Sequence, residues 1–143
     1  MIIKSVVILC TSILLLAPVT ATEKVHSGPE LMKAVAPVYP LVAIAAGVSG
    51  SVVVQVQVDR QGNVTSTRTI DGPKLLRTAA EHTARRWLFS ATDEPATREA
   101  RLVFSFKLVP KDTAVDELSP IFMPPYQVEV KGKPVELIHR IDP

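Results

Sequence analysis

Residues 51–59, SVVVQVQVD, alternate in character: Val52, Val54, Val56 and Val58 share one face, and Ser51, Gln55, Gln57 and Asp59 the other. A period of two predicts a half-buried strand. The following RQGN is a turn, with Gly62 free to take a positive φ, and the polar, β-branched VTSTRTI returns from it. Residues 51–70 are therefore expected to form an antiparallel hairpin, broken by Asp71-Gly72-Pro73. A second alternating run, RLVFSFKLV at 101–109, sets Leu102, Phe104, Phe106 and Leu108 inward and Arg101, Val103, Ser105 and Lys107 outward. Pro110 ends it.

Two stretches carry the longer helical period. Pro40 suits a first helical turn, and Gly47 suits a left-handed stop; a helix over 40–46 is expected, packed by Leu41, Ile44 and Ala45. Over 74–88, Leu76, Ala80, Thr83, Ala84 and Trp87 recur at spacings of three and four, which predicts an amphipathic helix. Trp87, the only tryptophan, continues the apolar stripe, while Arg85 and Arg86 fall off it. Trp87 is thus expected to be a core anchor, with cation–π contact to an arginine as an addition.

The chain ends differ from this middle. Lys4 followed by the uncharged, mostly apolar stretch 5–16, with Val19-Thr20-Ala21 behind it, reads as an export signal cleaved after Ala21. An uncleaved membrane anchor is the alternative. Residues 22–36 read as a short polar linker. Six of the twelve prolines lie from Pro110 onward, so irregular structure is expected up to Pro125. Beyond it, two short strands could pair around Lys131-Gly132-Lys133, with Val128 and Val130 facing Val135 and Leu137; a lone hairpin is marginal in water, so it either packs on the main sheet or is poorly ordered. The predicted organisation is a signal at 1–21, a linker at 22–36, a domain at 37–110 and a Pro-rich extension at 111–143.

Charge and chemistry narrow the function. Only Lys4 of the 16 Lys and Arg residues lies in 1–21, which leaves 15 basic against 14 acidic residues in the remainder. So even a balance offers no field for nucleic acid. Cys10 is the sole cysteine and falls inside the signal, with Leu9 rather than a small residue before it, so neither lipidation nor a disulfide is expected. His26, His82 and His139 lack ligand spacing, no serine has a nearby base, and no glycine loop cradles phosphate. The expectation is a non-enzyme without catalytic residues, metal or cofactor.

The order of motifs resembles the C-terminal domain of the TonB family. The matching pieces are Tyr39-Pro40, Gly47 and Gly50, VDRQGNV at 58–64, Gly72, TARRWLF at 83–89 and FSFKL at 104–108, together spanning about 34–109. Ser90-Ala91 stands where the family often has Pro-Ala, and residues 22–36 are too short for the long Pro-rich spacer of TonB itself. The expected fold class is α+β: a small three-stranded antiparallel sheet packed by two helices, in order 2-1-3, plus the C-terminal extension with its hairpin.

That order would leave the third strand as a sheet edge, and an exposed edge accepts an extended peptide as a further strand. The resemblance implies the same, since the family's third strand pairs with a short segment of outer-membrane transporters. The expected contact is Arg101, Val103, Ser105, Lys107 and Val109; the alternatives are that these are ordinary solvated edge residues, or that the C-terminal hairpin occupies the edge. Tyr39 and Pro40 either line this contact or staple the first helix to the sheet. Three readings remain open: a periplasmic module that docks a partner peptide or envelope protein, an inner-membrane-anchored energy transducer for outer-membrane transport, and a self-associating homodimeric envelope protein.

Overall fold

The computed structural model describes residues 28–135. The elements in order are β1 (Leu31–Lys33), α1 (Leu41–Ala45), β2 (Gly50–Val58), β3 (Val64–Asp71), α2 (Lys74–Ala84), β4 (Leu88–Phe89), β5 (Arg98–Leu108), a 3-10 turn (Asp116–Leu118), β6 (Ile121–Met123) and β7 (Gln127–Gly132). The main sheet has the order β3-β2-β5-β7-β6, and β1 pairs with β4 in a small second sheet. The export signal and its cleavage point, His26, Leu137 and His139 lie outside the described residues.

The two alternating runs fold as their pattern dictates. β2 buries Val52, Val54, Val56 and Val58 completely, and β5 buries Leu102, Phe104 and Phe106 on the same side. They pair antiparallel from Gly50 opposite Phe106 to Val58 opposite Arg98. β3 pairs on the other flank of β2, which gives the expected 2-1-3 core. The β2–β3 turn closes through Asp59, whose carboxylate accepts from the Asn63 N–H at 2.8 Å. Gly62 takes φ +91, and a Cβ there would lie 1.8 Å from the Phe89 carbonyl oxygen, so this turn tolerates only glycine.

α2 covers the apolar face with Leu76, Ala80, Thr83 and Ala84. It is shorter than expected, ending at Ala84; Trp87 follows in the turn, and Leu88–Phe89 pair as a strand with Leu31–Lys33. Trp87 is buried as its spacing required. Its Nε1 donates to the Val35 carbonyl at 2.8 Å, and its ring meets Phe104 edge-on at 5.7 Å. Arg85 and Arg86 are exposed.

Four further expectations are corrected. The sheet has five strands, not three, because the tail adds β7 and β6. The stretch before Pro125 is not wholly irregular: Ile121–Met123 lie between Pro120 and Pro124 and are free to pair with β7. Lys133–Val135 form no strand, so the segment 127–132 takes its partners from β5 and β6 instead. In α1 the packing differs in part: Ile44 rests against the core as expected, but Ala43 is the fully buried residue, and Leu41 is 70% exposed. Within residues 22–36, Leu31–Lys33 form β1.

Candidate docking edges

The geometry of strand pairing decides which backbone groups remain for a partner. A parallel strand, β7, runs along β5 from Val103 opposite Gln127 to Leu108 opposite Gly132. The Val103 N–H donates to the Tyr126 carbonyl and the Val109 N–H to the Gly132 carbonyl, both at 2.9 Å. Alternation points the Ser105 and Lys107 N–H groups the same way. The third strand is therefore an interior strand over this stretch, and its expected open edge is filled by the chain's own tail.

β7 is held by more than its ladder. Val128 is fully buried and Val130 and Tyr126 nearly so. The Tyr126 ring packs edge-on against Phe89 at 5.8 Å, and its hydroxyl donates to the Pro29 carbonyl. β6 pairs antiparallel on the outer side of β7, so β7 is inserted between two strands.

The residues expected to bind a partner are accordingly dispersed. Tyr39 is buried: its hydroxyl donates to the Val48 carbonyl at 2.7 Å, and its ring meets Phe106 edge-on at 5.2 Å. It also lies over Gly132, where a Cβ would come within 2.6 Å of the ring. Pro40 is the half-buried N-cap of α1. The staple reading describes both residues. Arg101 and Lys107 are exposed on the sheet's open face, and Lys107 pairs with Glu129 at 2.6 Å. Ser105 is buried and shares a hydrogen bond with Ser51 at 2.9 Å. Val103 and Val109 are half-buried.

Two outer strands remain at the sheet's flanks. β6 is three residues long, whereas β3 runs for eight. On β3 the Thr69 N–H points away from the sheet and donates to Glu81 Oε1 at 3.0 Å, and the Thr69 hydroxyl donates to the same oxygen. The register is unbroken from Thr69 to Ser66, so the two-residue period turns the Thr67 N–H outward as well; it is interrupted at Thr65, which has no partner on β2 where Ser66 faces Gln57 and Val64 faces Val58. Sequence reasoning missed this edge because the hairpin was read for its core face alone. The Glu81 contact had no sequence signal, since it joins residues twelve apart in two different elements.

Burial raises the phenol pKa of both Tyr39 and Tyr126 above the ordinary 10.0; at Tyr126 the charge of Arg98 opposes that rise. Among the described residues, no group of three His, Cys, Asp or Glu side chains converges as a metal site, and no helix is long and apolar enough to cross a membrane.

A family model described as "Gram-negative bacterial TonB protein C-terminal" matches residues 35–108. Among solved structures the chain is similar to the solution structure of the TonB C-terminal domain of Pseudomonas aeruginosa, with 20% identity and a TM-score of 0.45. That similarity covers 55% of this chain and 85% of the other. No curated protein matches the chain.

Proposed function

This chain belongs to the TonB C-terminal family, which is associated with TonB-dependent outer-membrane transport, and from that premise we propose that it is a periplasmic protein-docking module. It engages an extended segment of an outer-membrane transporter or another envelope protein by strand addition. The periplasmic assignment rests on the export signal read at residues 1–21, and the intact mass of the mature protein tests its removal.

One observation carries the choice of edge. The β5 flank is occupied by β7 from Val103 to Leu108, whereas β3 is an eight-residue outer strand whose backbone turns outward at Thr67. Added strands gain affinity from backbone hydrogen bonds and selectivity from neighbouring side chains. Arg68 and Asp71, both exposed on this strand, would supply the polar selectivity.

The test is a pull-down from envelope extract with the wild type and two proline variants. Proline is tolerated on an outer strand where its missing N–H faced solvent, and Thr67 Oγ1 makes no hydrogen bond that the substitution would lose. Thr67→Pro should keep the fold and lose the partner. Val103→Pro should instead destabilise the protein, because it removes a hydrogen bond to Tyr126. Undiminished capture by a folded Thr67→Pro protein would refute the β3 edge.

A further inference from the structure

Away from both sheet edges, α1 and α2 enclose a surface groove of about 700 Å³. Its apolar lining includes Val42, Leu75 and Ala79, and its titratable lining residues are Lys74, His82 and Arg86. No Asp or Glu lines it. The only acidic residue of α2, Glu81, is held by Thr69 of β3.

The apolar residues here are unusually open. Val38, which lines the groove, is 83% exposed, Val42 is 60% exposed and Leu75 41%. Contiguous exposed apolar surface on a small domain marks an interaction site. Folding does not account for it: α1 anchors itself through the buried Ala43 and leaves Val42 facing outward.

We propose that this α1–α2 groove is a second docking site, which takes a peptide segment carrying apolar side chains flanked by carboxylates. The one-signed basic lining supplies charge complementarity to the carboxylates, and Val42 and Leu75 receive the apolar side chain. A concave groove suits a peptide better than a bilayer, which needs apolar groups that project. The near-neutral chain offers no general attraction to anionic surfaces, so selectivity resides in this local cluster. The site does not depend on strand addition at β3.

The test uses the whole protein and a fluorescein-labelled hexapeptide alternating leucine and glutamate, with a leucine–lysine peptide as control. Anisotropy should show saturable, salt-sensitive binding of the acidic peptide alone, with amide shift changes confined to α1 and α2. Lys74→Glu combined with Arg86→Glu should weaken it at least about tenfold and permit binding of the lysine peptide. Val42→Asp, which alters a single exposed side chain, should abolish it without lowering Tm. Thr67→Pro should leave it unchanged, which separates this site from the β3 edge. Absence of saturable binding, shifts mapping to β3, or indifference to both groove variants would overturn the proposal. So would groove-dependent binding to phosphatidylglycerol vesicles when the peptide does not bind.

Discussion

The two flanks of the sheet solve the problem of an unpaired strand in opposite ways. On one, β7 brings Val128, Val130 and Tyr126 into the core and is enclosed between β5 and β6. On the other, β3 is mainly polar, and its outer backbone is engaged at Thr69 by Glu81. Side-chain chemistry makes the difference. A strand whose inward positions reach the core becomes part of the fold, while a strand of threonine, serine and arginine stays at the surface with its backbone available.

Ending the chain at Pro120 breaks this contrast most severely. It removes three buried side chains, each worth roughly 1.5–3 kcal/mol, so a loss of about 5 kcal/mol or more is expected in urea unfolding. A truncated protein with an unchanged midpoint would make β7 a removable strap. Trp87→Ala should cost about 3–5 kcal/mol by the same assay, since the indole touches Phe104 and fixes Val35.

Tyr126→Phe is the finer probe of the sealed flank. It leaves the Pro29 carbonyl without its donor and should cost about 1–3 kcal/mol. The same hydroxyl carries a pH signature. Because burial raises the folded-state pKa above 10.0, the unfolded chain releases its proton first. Stability is then full below pH 10 and falls as pH climbs from there toward the folded pKa. Tyr126→Phe should reduce that alkaline slope, measured as urea midpoint against pH. On the open flank, Glu81→Ala should cost only about 1 kcal/mol. It frees the Thr69 N–H, so partner capture or self-association should increase; sedimentation velocity measures the latter.

The sequence made the α2–β2–β5 core legible because Val52 to Val58 and Leu102 to Phe106 alternate cleanly, and because Leu76, Ala80 and Trp87 keep helical spacing. It also carried the family motifs. Three features were hidden for separate reasons. The alternation of Val128 and Val130 announced a strand whose partner stayed open between a hairpin and the main sheet, because a parallel register with β5 depends on a long connection without local signature. Five residues of α1 are too few to show a period, so Leu41 was assigned to the wrong side. The prolines from Pro110 onward suggested irregular structure up to Pro125, although β6 fits between Pro120 and Pro124. The expected open edge at β5 followed from a strand count of three. Once β7 is present, Val103, Ser105 and Lys107 turn their N–H groups to an internal partner.

Residue-resolved amide hydrogen exchange of the full protein tests that assignment most directly. Val103, Ser105 and Lys107 should exchange only through global unfolding, at the rates of the central β2 amides, while Thr67 should exchange orders of magnitude faster. If Val103, Ser105 and Lys107 exchanged as fast as Thr67, the β5 flank would be the open edge and the account would be contradicted.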